Sequence, residues 1–301
     1  MRPPSLSYTP GLLLQSRGGV PFKLGLALPL HQRQQTQAAA QSRSHTIAPP
    51  PSSSSLNAEE VSHFSALASS WWDPYGPSRP LHLMNPLRHD FIQRCLASSP
   101  TSPSPSTHKL RYLDVGCGGG IFAESAARLP TTACVTAIDP SSTILSVARL
   151  HARRDPALSP PKLLYVNATI ETLPPSTEGE FDVVSLFEVI EHVDNPAAFL
   201  ERCGAFVKPG GWLVLSTIAR TWTSWVTTNL VAEDILGIVP KGTHDWHKYI
   251  NEAELRAHFA GRTAEWGSPR VMGVVFVPGT GWKEVIRSEK IGNYFFAVQR
   301  K

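Results

Sequence analysis

Tyr112-Leu113-Asp114-Val115-Gly116-Cys117-Gly118-Gly119-Gly120 is an apolar run that breaks into a glycine-rich turn, and the chain restarts as Ile121-Phe122-Ala123-Glu124. The pattern predicts a buried strand, a tight loop and a helix start, the βα unit on which α/β proteins hold nucleotides. Glycines permit positive φ and let a ligand approach the backbone, while the following helix points its first N–H groups at the same place. The G-x-G-G-G turn alone is a weak signal. Asp114 just before it, Asp139 some twenty residues on, and Glu188 with Glu191-His192 further along sharpen it.

Outward from this unit the chain alternates. Strands are expected at Arg111–Val115, Cys134–Asp139, Leu163–Asn167, Phe181–Phe187 and Trp212–Thr217, with helices at about Gly120–Leu129, Ser142–Arg153 and Pro196–Val207, the last closed by Lys208-Pro209-Gly210-Gly211. A helix at Asn251–Phe259 and strands near Val271–Val277 and Tyr294–Gln299 follow. Such alternation predicts an α/β fold: a doubly wound, mostly parallel sheet of seven strands with right-handed crossovers. Upstream, Val61, Phe64, Leu67 and Trp71 have helical spacing, and a second short helix from about Pro86 to Leu96 carries Arg88. Residues 59–97 therefore read as a helical cap, joined through a Pro/Ser loop at 98–108 to the rest of a 59–301 domain. An insertion, residues 219–249, interrupts the alternation after the fifth strand.

The first 58 residues contain no Asp or Glu but carry Arg2, Arg17, Lys23, Arg33 and Arg43 among Ser, Pro, Gln and Ala. That composition fits a mitochondrial transit peptide or, alternatively, a disordered leader over residues 1–58. Those five residues account for the formal charge of +4; the rest of the chain balances its acids within one charge. The basic excess thus argues for targeting and not for a nucleic-acid partner. Cys95, Cys117, Cys134 and Cys203 show no C-x-x-C pairing and read as separate reduced thiols.

Ligands of open α/β sheets bind beyond the carboxyl ends of the strands, where Asp114–Gly120, Asp139, Asn167 and Glu188–His192 all fall. Asp139 is placed to accept both hydroxyls of a ribose, or else caps the next helix. A pyrophosphate would be repelled by an acid beside the turn, and no GK[ST] loop for a nucleoside triphosphate is present. S-adenosylmethionine carries no phosphate, and its ammonium suits Asp114.

The stretch Leu113–Gly120 resembles a class I methyltransferase signature. Trp71-Trp72-Asp73, Asn85-Pro86-Leu87-Arg88, Glu188-Val189-Ile190-Glu191-His192-Val193 and Val239-Pro240-Lys241-Gly242-Thr243-His244-Asp245 narrow the resemblance to the ubiquinone-biosynthesis O-methyltransferases, from about Val61 onward. The resemblance implies cofactor contacts at Arg88, Gly116, Asp139 and Phe187, joined by Asp114 and Gly118 of the turn. Arg88 suits the methionine carboxylate, which its guanidinium can bind with two hydrogen bonds. Glu188, Glu191 and His192, at i, i+3 and i+4, are expected on one face of a helical turn. The family assigns these three positions to a divalent metal, Mg²⁺ or alternatively Mn²⁺ or Zn²⁺. The implied substrates are catechol-type rings with polyprenyl tails, of the 3,4-dihydroxy-5-polyprenylbenzoate and demethylubiquinol kind. A phenol has a pKa near 10, so ionising it at neutral pH costs about 4 kcal/mol. A cation on both ring oxygens would lower that cost; without metal, His192 is a general base or a packed polar residue, with Glu188 beside it in the catalytic set.

The insertion, with Trp222, Trp225, Leu230, Ile235 and Leu236, is more apolar than an exposed loop and reads as a lid, a segment that dips into a membrane interface, or both. Lys241–Asp245 lines the same pocket or forms a structural turn. The resemblance further implies a peripheral protein on the matrix side of the mitochondrial inner membrane, working among other ubiquinone-biosynthesis proteins. Two rivals remain at this level. An NAD(P)-dependent oxidoreductase would want the longer G-x-G-x-x-G turn with no acid before it. A non-catalytic subunit of the same fold should have lost the charged residues that this chain keeps.

Overall fold

The apolar run before the glycine turn forms strand β1, Leu110–Val115, and four parallel neighbours build on it: β2 Thr132–Asp139, β3 Leu163–Asn167, β4 Phe181–Phe187 and β5 Val207–Ile218. The computed structural model describes residues 61–62, 65, 68–98, 109–221 and 248–301. The leader at 1–58, Phe64 and Leu67 of the cap, most of the 98–108 loop, and the insertion with Trp222, Trp225 and Lys241–Asp245 lie outside the described residues.

Three further strands complete the sheet: β6 Arg270–Val277, β7 Gly281–Glu284 and β8 Asn293–Gln299. Their spatial order is β3-β2-β1-β4-β5-β8-β6-β7. The first five are parallel, whereas β8 runs antiparallel between β5 and β6. The doubly wound, mostly parallel arrangement is as expected, with eight strands instead of seven. The extra one, β7, is a four-residue edge strand whose sequence, Gly-Trp-Lys-Glu, is too short and too polar to show alternation.

Helices α1 Arg79–Ala97, α2 Ile121–Arg128, α3 Ser142–Ala152, α4 Pro196–Phe206 and α5 Glu252–Ala260 cover the sheet. On one face Phe91, Ile92, Phe122 and Leu145 pack over Tyr112, Val183, Val214 and Phe295; on the other Phe199, Phe206, Leu255 and Phe259 pack over Leu113, Val184, Leu215 and Phe296. Successive strand residues feed opposite cores, as the pleat requires. β4 is buried along its whole length, which is why it reads as an unbroken apolar run.

Two element expectations change. The cap helix carrying Arg88 begins at Arg79, with Pro80 in its first turn and Pro86 inside it, and not at Pro86. Proline suits a first turn, so sequence reading took the second proline for the start. The Lys208–Gly211 segment belongs to β5, at a register shift where Gly210 turns with φ 81°, instead of closing the preceding helix. All four cysteines are free.

Candidate active site

β1 delivers Asp114 to the carboxyl edge of the sheet directly opposite Ser185 of β4, whose hydroxyl donates to Asp114 Oδ1 at 2.7 Å. Burial pushes the Asp114 carboxyl up to about 7, against the opposing pull of the Ser185 hydrogen bond and the Arg88 charge. The glycine turn leaves the strand through positive φ at Gly116, Gly118 and Gly120, the last capping α2.

Arg88 reaches the same place from the cap. In α1 the buried residues Met84, Arg88, Phe91, Ile92 and Cys95 fall on one stripe, so the arginine lies on the helix's inward face. Its guanidinium sits 4.8 Å from the Phe187 ring centroid, and its Nε is buried with no hydrogen-bond partner. Burial lowers its pKa, and the charges of Glu188 and Asp114 oppose that shift. Arg88, Asp114, Gly116 and Phe187 line one cavity, walled by Trp71, Ile121 and Phe122. Four of the expected cofactor residues thus meet in one pocket.

Asp139 ends β2 next door. Its Oδ2 accepts from Gly118 N and its Oδ1 from Ser141 N, both at 2.9 Å, so it ties the glycine turn to the following loop. Each oxygen keeps a second lone pair with which to accept a further hydrogen bond. The alternative role of helix cap belongs to Ser141, which accepts from Ile144 N. Burial raises the Asp139 carboxyl, and the two backbone bonds pull it down. Asn167 braces this corner by donating to the carbonyls of Asp139 and Pro140.

After β4 the expected helical turn does not begin at Glu188. That residue takes φ 57°, left-handed backbone that a non-glycine residue seldom adopts, and only Ile190–His192 form a short 3₁₀ turn. Glu188 Oε1 accepts from Ser216 Oγ at 2.6 Å, and Glu191 Oε2 accepts from Thr217 Oγ1 at 2.9 Å. Ser216 and Thr217 are neighbours in β5, and successive strand side chains point to opposite faces. Each carboxylate is therefore held by its own β5 hydroxyl instead of projecting with the other from one helix face. Among the described residues no three His, Cys, Asp or Glu side chains form a metal-ligating group. Glu188, Glu191 and His192 are thus not gathered into a ready-made cation site, and both carboxylates are engaged by β5 hydroxyls. Glu191 is buried, and burial together with the Glu188 charge raises its pKa, His192 and Thr217 opposing.

Sequence reading missed Trp71 as a wall of the cavity, and Ser185, Ser216 and Thr217 as partners of the acids. The Trp71-Trp72 pair was visible, but its contact with the glycine turn spans more than forty residues and leaves no local periodicity.

The methyltransferase domain family matches residues 81–272. The ubiquinone biosynthesis O-methyltransferase, mitochondrial, of Candida albicans is 41% identical, covering 82% of this chain and 86% of its own length. Its counterpart from Saccharomyces cerevisiae is 36% identical over 82% and 89%. The chain belongs to the ubiquinone biosynthesis O-methyltransferase family. A bacterial member of the family, from Alkalilimnicola ehrlichii, is 44% identical over 65% of this chain and 74% of its own. Among solved structures, an S-adenosylmethionine-dependent methyltransferase of Thermotoga maritima, described as a possible histamine N-methyltransferase, superposes with a TM-score of 0.53 at 16% identity, covering 80% of this chain and all of the other. A plantazolicin methyltransferase crystallised with S-adenosylhomocysteine gives 0.54 at 17%, over 81% and 97%. These likenesses show the class I S-adenosylmethionine-dependent fold. Membership of the family makes the chain an S-adenosylmethionine-dependent O-methyltransferase of ubiquinone biosynthesis, and sets aside the oxidoreductase reading.

Proposed function

We propose that the chain methylates a catechol-type hydroxyl of a polyprenylated ubiquinone precursor, of the 3,4-dihydroxy-5-polyprenylbenzoate or demethylubiquinol kind, in the mitochondrion at the matrix face of the inner membrane. The observation that carries the reading of the site is one cavity holding a buried arginine and a buried carboxylate, Arg88 and Asp114, beside Asp139 on the next strand. Opposite charges lining one cavity suit the zwitterionic end of S-adenosylmethionine, with Asp139 left for its ribose and Phe187 against its body. When bound, the cofactor supplies a sulfonium-activated methyl group. Arg88 then holds the carboxylate, Asp114 the ammonium, and the Gly116–Gly118 turn lets the backbone close on the ligand. His192, at the end of the turn after β4, takes the proton from the ring hydroxyl, with Glu188 beside it. Such a base typically contributes about 10²–10⁴-fold. The remaining rate comes from holding oxygen and methyl in line and excluding water. No step is assigned to a metal.

Family members from Candida albicans, Saccharomyces cerevisiae and Arabidopsis thaliana carry mitochondrial names, which supports the compartment together with the acid-free leader. For the membrane side, no helix among the described residues is long and apolar enough to cross a bilayer. Ile286 and Ile291 are 88% and 51% exposed, and Thr221, at the root of the insertion, donates to Ile291 O. Apolar side chains beside the insertion root suit a lipid substrate arriving from an interface. Partners among other ubiquinone-biosynthesis proteins belong to the same proposal.

The test is transfer of labelled methyl from S-adenosylmethionine to short-chain polyprenyl dihydroxybenzoate and demethylubiquinol analogues. Wild type is expected to label the ring oxygen. His192→Ala is expected to lose about 10²-fold or more in turnover with cofactor affinity within about twofold; near-normal turnover would remove the base from His192.

A further inference from the structure

The segment before α1 covers the glycine turn with two tryptophans. Trp71 is buried with its indole flat across Gly118 and Gly119: a Cβ on Gly119 would lie 2.1 Å from its Cδ1 and 2.7 Å from its Nε1, and one on Gly118 only 2.4 Å from Cζ2. Trp72 fixes the segment. Its Nε1 donates to Gly119 O at 2.9 Å, and its ring stacks on His151 with centroids 3.5 Å apart and planes within 5°. His151 in turn is 2.9 Å from the buried Glu124 of α2. The cap is thus pinned to the turn through Trp72, while Trp71 faces the cavity it shares with Arg88 and Asp114.

Two N–H donors of that cavity's lining residues, Trp71 Nε1 and Arg88 Nε, are buried without a hydrogen-bond partner. Buried donors are nearly always satisfied, so an orphan needs an explanation. Two orphans on residues lining one cavity, one of them on a cation, point to an anionic acceptor that binds there.

We propose that Trp71 is a cofactor-binding residue, roofing the methionine end of S-adenosylmethionine and donating its indole N–H to the carboxylate that Arg88 also holds. The inference rests on the cofactor placement above and adds to it a second donor, carried by the cap. It assigns a purpose to Gly119, whose backbone needs no special φ: the position is glycine because the indole lies on it.

The experiment is calorimetric titration of the full chain with S-adenosylmethionine and with its decarboxylated analogue, which lacks only the carboxylate. Wild type is expected to prefer the carboxylate-bearing ligand. Trp71→Phe keeps an aromatic ring on the turn but lacks the donor, and is expected to lose at least about fivefold more affinity for S-adenosylmethionine than for the analogue. Arg88→Met should show the same ligand-dependent loss. Trp72→Phe, which loosens the cap without touching the cavity, should weaken both ligands equally. Equal losses for both ligands in Trp71→Phe, or none, would overturn the role of Trp71. If Arg88→Met removes the preference and Trp71→Phe does not, the cofactor placement stands and only this inference falls. A wild type that binds neither ligand would overturn both.

Discussion

Asp114 holds its proton unusually tightly, and that has a sign that can be measured. With its carboxyl raised to about 7 from an ordinary 3.8, the folded protein keeps a proton between about pH 4 and 7 that the unfolded chain releases. The stability tied to that proton is present at low pH and is lost as pH rises through 7. Asp114→Asn should therefore melt higher than wild type at pH 8, the difference shrinking toward pH 4. Ligand binding should run the other way. An ammonium beside Asp114 favours the ionised form, so affinity for S-adenosylmethionine should rise up to about tenfold per pH unit below 7, with proton release visible in buffers of different ionisation enthalpy. Asp114→Asn should bind about 10–100-fold more weakly, the loss of a charged hydrogen bond, and without that pH slope. Asp114 and Asp139 stood out because charged residues at the ends of apolar runs have few uses in a core, whereas Arg88, in mid-helix, was pointed to only by the family resemblance. Glu188 was not legible: the i, i+3, i+4 spacing suggested a helix, and nothing local announces that the residue itself stands at φ 57° outside one.

The same reasoning scales up to elements. β1 to β5 were readable since each is an apolar run bounded by turn residues, and both ends of β3 and β4 fall where expected. The docking of the cap on the glycine turn was not readable, because it is written in shapes that meet only after folding. It makes a prediction of its own. Gly119→Ala places a methyl inside the Trp71 ring and should cost about 1–3 kcal/mol, the usual range for overpacking. Trp71→Ala in the same chain should recover part of it. A thermal or urea double-mutant cycle measures that coupling, and strict additivity would mean the two do not touch. Ile286→Ser with Ile291→Ser should weaken flotation with anionic liposomes while leaving the melting temperature near wild type, since both side chains are at least half exposed.

For the whole molecule, one sheet separates two cores, and neighbouring residues of β8 serve both: Phe295 packs on the side of α1 and α2, Phe296 on the side of α4 and α5. Phe296→Ala should lower stability by about 3–5 kcal/mol in urea denaturation. The strand's place has a kinetic side. Among the described residues β6 and β7 are hydrogen-bonded to the parallel half of the sheet only through β8, which is later in sequence than both yet lies between them and β5. The β6–β7 hairpin can pair with itself early, but it has no edge to join until β8 is laid against β5. Long-range pairings of this kind are slow to form. In pulsed hydrogen exchange during refolding, amides of β6 should gain protection together with those of β8 and after those of β1 and β4. The chain would then complete its cofactor crevice while one flank of the sheet is still unzipped, leaving the last strand to decide when the enzyme is whole.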